Sequence, residues 1–236
     1  MKLQKITGKN AERVRSYDDA CASAHALDLI GERWALLVMR ELMMGPRRFS
    51  DLRASLPSIS ANVLTQKLEG LEASGVLRKR KLPPPASAQV YELTEWGREA
   101  EPILLALGKW GVRSPMHDPT QPLSAVALML SFRAKFEKAK AGDLDVSILF
   151  RFGEETFSVG VRKGVLTTER GEGRAPMVTV TGTPPAVAGM IYGKVPLKEL
   201  ERAGALAVTG DRAALKRFAE LWEMPPKAEL PGLQGR

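Results

Sequence analysis

At 236 residues the chain is longer than one typical domain and shorter than many single barrels, a length that favours two units with modest cores. Lysine and arginine outnumber aspartate and glutamate by 35 to 27, and the net +8 favours a polyanionic partner. One cysteine, Cys21, and two histidines, His25 and His117, exclude an internal disulfide and a four-ligand zinc framework, so no structural metal is expected.

The first residues, "MKLQKITGKNAERVRSYDD", carry no apolar core of signal-peptide length, and no stretch approaches a membrane span of about 20 apolar residues. A cytoplasmic protein without membrane partners is the expectation. Up to Arg113 there are 18 cations against 13 acids, and beyond it 17 against 14, so the excess leans toward the first half.

Residues 1–16 are polar and unpatterned and read as an arm. In "DDACASAHALDLIGERWALLVMRELMMG", Leu27, Ile30, Trp34, Leu37, Val38 and Leu42 fall at helical spacing, interrupted at Gly31, which predicts two helices meeting at that glycine. "GPRRFSDLRASLPSI" predicts a third, short helix that Ser50 could cap and Pro57 ends. A fourth follows in "SANVLTQKLEGLEASG": Ser60 suits an N-cap, Leu64, Leu68 and Leu71 share a face, and Gly75 suits a left-handed stop. "VLRKRKL" and "QVYELT" read as two strands around the stiff tip "PPPASA", and Thr94 can cap one closing helix, "EWGREAEPILLALGKWG".

Opposite its leucines the fourth helix presents Asn62, Thr65, Gln66 and Glu69. Amide and hydroxyl side chains donate to and accept from base edges, and an α-helix fits the major groove of B-DNA. With the short helix before it and "LPSIS" as the turn, this is helix-turn-helix order; the cations of the following hairpin could meet phosphates or the minor groove. A polar helix face beside a basic strand is more often merely solvated. The arrangement of helix-turn-helix, basic hairpin and closing helix, a winged helix, raises the DNA reading above that one. The candidate DNA-contacting set is Arg47, Arg48, Ser50, Ser60, Asn62, Thr65, Gln66, Lys67, Arg78, Arg80 and Lys81.

"CASAHALDLIGERWALLVMREL", "GPRRFSDLRASLPSISANVLTQKLEGLEASGVLRKR" and "VYELTEWGREAEPILLALGKWG", in that order, resemble the HxlR family of winged-helix transcriptional regulators over residues 18–112. The resemblance implies a homodimer on double-stranded DNA, with a recognition helix over residues 60–74, a wing over 76–93 and dimer contacts from the terminal helices. Arg33 stands where the family often has lysine, and the tip "LPPPASAQ" is more apolar than a phosphate clamp requires. The resemblance also implies a thiol sensor at Cys21; without a resolving cysteine, a small half-buried hydrophobe at a helix start is the favoured reading. Trp34, Trp96 and Trp110 read as core or dimer packing.

"RSPMHDPTQP" reads as a linker. The domain plan is thus an arm (1–16), a winged helix-turn-helix domain (17–113), a linker (114–121), an α+β domain (122–226) and a tail (227–236). In the second domain, "LSAVALMLSFRAKFEKAK" predicts one helix and "LDVSILFRFGEETFSVGVRKG" a hairpin turning at Gly153; "VLTTERG", "MVTVTG" and "ALAVTGD" are further strands, among three more helices. This pattern resembles the sterol-carrier-protein-like fold over residues 123–224, which implies an apolar small-molecule effector between sheet and helices. Leu130, Phe136, Phe150, Phe157, Val159, Met190, Ile191 and Trp222 are the candidate pocket residues; the plainer reading makes them core.

The overall expectation is a multidomain chain, an α-rich winged helix-turn-helix followed by an α+β sterol-carrier-protein-like domain. No G-x-S-x-G, H-E-x-x-H or P-loop is present, and "GEGRAP" lacks the context of a dinucleotide fingerprint, so neither catalysis nor a cofactor is expected. The competing function is a non-enzymatic carrier or sensor of apolar molecules whose winged helix serves dimerisation or protein contact.

Overall fold

The computed structural model describes residues 16–229. All of the expected arm but Ser16, and residues 230–236 of the expected tail, lie outside them. The first half builds α1 (Ala22–Ile30), α2 (Ala35–Leu42), α3 (Phe49–Ser55), α4 (Ala61–Ala73), the hairpin β1 (Leu77–Lys81) and β2 (Gln89–Leu93), then α5 (Glu95–Arg98) and α6 (Glu101–Gly111). Helix α1 ends at Gly31, but α2 begins only after Trp34, the left-handed residue of the junction, at φ 79°.

Helix α4 is amphipathic as its sequence requires. Leu64, Leu68 and Leu71 are at most 2% exposed, and each such burial stabilises by about 1.5–3 kcal/mol relative to exposure. Ser60 Oγ accepts the N–H of Val63 at 3.3 Å and caps the helix. Gly75, at φ +74°, ends it, with the Val76 N–H returning to the Leu71 carbonyl. Strands β1 and β2 pair antiparallel from Leu77↔Leu93 to Lys81↔Gln89, and Arg47 bridges to Tyr91 as a third, one-residue strand.

The closing helix differs from the single one expected. Thr94 caps only the short α5, its hydroxyl accepting from Gly97 N–H, and α6 restarts with Pro102 in its first turn, where a missing N–H costs nothing.

The second half contains α7 (Ala125–Lys135), α8 (Lys138–Ala141), β3 (Val146–Phe152), β4 (Glu155–Arg162), β5 (Val165–Arg170), β6 (Val178–Gly182), α9 (Pro184–Ile191), α10 (Leu197–Arg202), β7 (Leu206–Gly210) and α11 (Arg212–Glu220). One helix was expected where α7 and α8 stand; Phe136 turns extended between them, at ψ 128°, and its ring meets Trp222. The five-stranded sheet has order β5-β4-β3-β6-β7, mixed because β6 runs parallel to β3. On one face Val146, Ile148, Phe150, Phe157, Val159, Val161, Val178 and Val180 are buried beneath helices, among them α7 and α11.

The link from β5 to β6 is short for a parallel crossover. Residues 171–177 cross the open face of the sheet as a strap. Ser158 Oγ donates to the Gly171 carbonyl and accepts from Gly173 N–H, and Ser147 Oγ donates to the Ala175 carbonyl. The strap lies so close that a Cβ on Gly173 would meet Ser158 Oγ at 2.8 Å.

The two halves share one continuous buried cluster, from Ala35 to Trp222. Residues 114–121 themselves form turns with exposed side chains, apart from the half-buried Ser114. On either side the polar contacts are specific. Arg133 of α7 holds Glu101 of α6 through both carboxylate oxygens at 2.8 and 3.0 Å, and donates to Thr168 Oγ1 and carbonyl at 2.6 and 2.8 Å. Ser124, the cap of α7, donates to the buried Glu41 of α2 at 2.7 Å. Lys227 reaches back to the carbonyls of Val112 and Ser114.

Lys135, at the end of α7, lies over the Tyr192 ring, 4.6 Å from its centroid. Burial, with a smaller contribution from Lys109, lowers its amine to about 8. The folded chain therefore holds fewer protons than the unfolded chain between about pH 8 and 10.5, so this group subtracts stability below pH 8 and the deficit is relieved as pH rises through that window. Lys135→Met is expected to raise unfolding free energy by about 1–3 kcal/mol at neutral pH and by only a fraction of that near pH 10. Urea denaturation at the two pH values checks this; an equal gain at both contradicts it.

Candidate nucleic-acid interface

The reading face of α4 follows from its anchoring. With Leu64, Leu68 and Leu71 fixed inside, the 3.6-residue repeat turns Asn62, Thr65, Gln66 and Glu69 outward, and all four are exposed. Ser60 is exposed too, though its hydroxyl already accepts the cap bond. Lys67 lies at the edge of this face and its ammonium is ion-paired with Glu32, so it is not the free phosphate ligand expected.

In the preceding helix, Arg48 occupies the N-cap position of α3, its N–H donating to Asp51 Oδ2 at 3.3 Å, and its side chain is exposed. Ser50 is therefore inside α3 rather than capping it; its exposed hydroxyl donates to Asp51 Oδ1 at 3.1 Å.

Arg47 requires the largest correction. It is 5% exposed, and its guanidinium is committed inward: Nη1 to Glu155 Oε1 at 2.6 Å, Nη2 to the Asp51 carbonyl at 3.2 Å and Ser55 Oγ at 2.9 Å. It does not stand on the surface where a contact with DNA was expected. Sequence reasoning missed Glu155 and Arg170 altogether, since nothing local marks a charge whose partner lies over a hundred residues away.

On the wing, cations alternate. Arg78 and Arg80 share one side of β1 and both bond Glu92 of β2, at 2.7 and 3.1 Å. Glu92 is buried, which opposes its ionisation, but the hydrogen bonds and charges of the two arginines together outweigh burial and hold its carboxyl below the usual range. Lys79 pairs with Glu72 of α4 at 3.0 Å and lies over the Tyr91 ring; that hydrogen bond raises its amine. Lys81 is exposed, with no ion pair among the described residues. Lys79, Arg80, Lys81, Ser87 and Gln89 line a groove of about 310 Å³ beneath the tip.

The candidate pocket residues pack as core. Phe150, Phe157, Ile191 and Trp222 are fully buried, Val159, Leu130 and Met190 nearly so, and Phe136 partly. Phe132 fills the space between them, its ring centroid 4.9 Å from Trp222, 5.7 Å from Phe218 and 6.0 Å from Phe150. The expected space between sheet and helices is thus occupied by rings. A cleft of about 760 Å³ lies instead beside the strap on the open face, lined by Ser147, Ser158, Gly160, Thr167, Arg162 and Arg174 among others.

Cys21 is exposed rather than half-buried. It occupies the N-cap position of α1, its Sγ 3.0 Å from Ser23 Oγ, and that hydrogen bond, with the N–H groups of Ser23 and Ala24, lowers its thiol. Trp34 is partly buried, while Trp96 and Trp110 are 51% and 77% exposed. Among the described residues no cluster of acids, histidines and cysteine could hold a metal, and no helix is long and apolar enough to cross a membrane.

A helix-turn-helix transcriptional regulator of Synechocystis sp. is 36% identical over 106 residues, 45% of this chain and 78% of that protein. The chain belongs to the HxlR-like helix-turn-helix family. The family pattern matches residues 29–118, which hold α2 to α6. The HxlR-like segment is similar also to the regulator YvaP of Bacillus subtilis, 36% identical over 85 residues, 36% of this chain and 79% of that one. Among solved structures, the redox regulator HypR in its oxidized form is 35% identical, covering 39% of this chain and 94% of that one, with a TM-score of 0.36. Beyond the HxlR-like part, residues 125–228 match the alkyl sulfatase C-terminal family.

Replacing both Arg78 and Arg80 by alanine leaves burial as the dominant influence on Glu92. Its carboxyl is then expected to titrate above the usual carboxylate value instead of below it, read by carbon-13 NMR; an unchanged titration contradicts the assignment.

Proposed function

We propose that the chain is a dimeric, sequence-specific DNA-binding transcriptional regulator in which Asn62, Thr65 and Gln66 of α4 reach base edges. The observation that carries this reading is the exposure of those three side chains on a helix whose leucines are buried, beside the Arg78, Arg80 and Lys81 wing. Membership of a family of helix-turn-helix regulators supports it. Arg48, Ser50 and Ser60 join as backbone-positioning contacts. Arg78 and Arg80 keep N–H groups beyond those given to Glu92, so the acid can orient them toward phosphate without consuming them.

Dimerisation through the terminal helices is supported by their unsatisfied faces. Helices α1 and α6 contain no fully buried residue, and Ile103, Leu107 and Trp110 form a stripe at helical spacing that is 44–77% exposed, with Leu27 of α1 50% exposed. The α+β unit, which we read as sterol-carrier-protein-like, is the seat of a small-molecule effector. Because rings fill its core, the open-face cleft is the better place for that effector. A ligand there must bind two arrangements of the chain unequally to alter DNA affinity. The carrier reading is disfavoured by the same filled core.

A duplex selected from a random pool by the full chain tests the function. Gln66→Ala is expected to weaken binding by about 1–3 kcal/mol and to relax preference at one base position, while Arg80→Ala weakens all sequences alike and flattens the log-affinity against log-salt slope by about 0.9. Equal binding by wild type and both variants would sink the reading. For the dimer, Leu107→Asp with Trp110→Asp is expected to shift the sedimenting species from two chains to one.

A further inference from the structure

Arg47 is where three parts of the chain converge. Its backbone exchanges hydrogen bonds with Tyr91 at 2.9 and 2.8 Å, which makes it part of the wing sheet. Its Nη2 holds α3 through the Asp51 carbonyl and Ser55 Oγ. Its Nη1 holds Glu155 at the start of β4, in the α+β unit. Glu155 Oε1 also accepts from Arg170 Nη1 at 2.5 Å, and Arg170, lying 4.7 Å over the Phe157 ring, donates through Nε to the Met44 carbonyl just after α2.

One carboxylate thus sets the place of a guanidinium that in turn sets α3 against the wing. We propose that Glu155 is a positioning residue for DNA recognition, acting through Arg47 to fix the first helix of the helix-turn-helix relative to the wing. The α+β unit is then a splint for the reading surface and not a tethered passenger. This rests on the DNA-binding reading above and adds to it a residue outside the HxlR-like segment.

A network that only stabilised the fold predicts something different. Its loss lowers the melting temperature but leaves the affinity of the folded fraction unchanged. A phosphate-binding Arg47 predicts something different again. Its loss reduces the number of released counterions, flattens the salt slope by about 0.9, and adds independently to any change at Glu155.

The test measures binding of the full chain to the selected duplex across a salt series, at a temperature where circular dichroism shows every variant folded. Glu155→Gln is expected to weaken binding roughly tenfold with the salt slope unchanged, and Arg47→Ala to cost little more in that background than Glu155→Gln costs alone. Should Arg47→Ala fail to fold, Arg47→Gln serves, since its amide can still bond the Asp51 carbonyl or Ser55 but carries no charge for Glu155 or for a phosphate; it too is expected to weaken binding without changing the slope. Wild-type affinity in folded Glu155→Gln, additive effects of the two substitutions, or a slope lowered by Arg47→Ala or Arg47→Gln overturns the proposal. Wild type that binds no selected duplex removes the DNA-binding reading itself, a separate failure.

Discussion

A carboxylate shared by two guanidinium groups is directional in a way that an apolar contact is not. Glu155 accepts from Arg47 and Arg170 through one oxygen, Arg47 gives its Nη2 to the Asp51 carbonyl and the Ser55 hydroxyl, and Arg170 gives its Nε to the Met44 carbonyl, all of the first half. Apolar surfaces can slide over one another with little change in buried area, whereas these bonds weaken steeply with small changes in angle. Buried ion networks give up much of their Coulomb energy to desolvation, and the unpaired Arg47 Nε and Arg170 Nη2 add to that cost. Such networks add little net stability as a rule, and the role we propose for this one is to specify a relative arrangement. The continuous core from Ala35 to Trp222 supplies the stability.

The same logic recurs around the junction. Arg133 ties Glu101 to Thr168, and Ser124 meets Glu41 where the positive end of α7 faces a buried acid. Each contact joins an element of the winged helix to one of the α+β unit; Arg133 and Glu101 are partly exposed, whereas Glu41 is fully buried and needs its partners. The wing repeats the device on a smaller scale, Glu92 holding Arg78 and Arg80 on one side of a strand. In both places one acid bonds two arginines.

Much of the architecture was legible because periodicity is local. The leucine spacing, Ser60 and Gly75 define α4 within sixteen residues, and the alternation from Val146 to Val161 defines the hairpin and its buried face. The exposure of Asn62, Thr65 and Gln66 follows from the same arithmetic. The division of the closing helix at Pro102 was legible in principle, since proline favours a first turn. The turn at Phe136 was not, because its cause is a contact with Trp222 far along the chain.

Burial of charge is the property that a sequence hides best. Arg47 and Arg48 are adjacent, equally basic and sit in the same loop, so composition gives them one role; the structure gives them opposite ones, because the bridge to Tyr91 turns one side chain inward and leaves the other in solvent. The rings of the second core were similarly ambiguous, since lining a void and filling it demand the same residues. Phe132 decides that case by standing among the very residues that a tunnel would need kept apart. In the α+β unit, the cleft described above lies where no helix covers the sheet. There the strap from Gly171 begins directly after Arg170, and the Gly171 N–H bonds the carbonyl of Thr156, the neighbour of Glu155. Glu169 of the cleft wall and Arg170 of the joint are thus consecutive on β5, and Ser158 and Glu155 share β4.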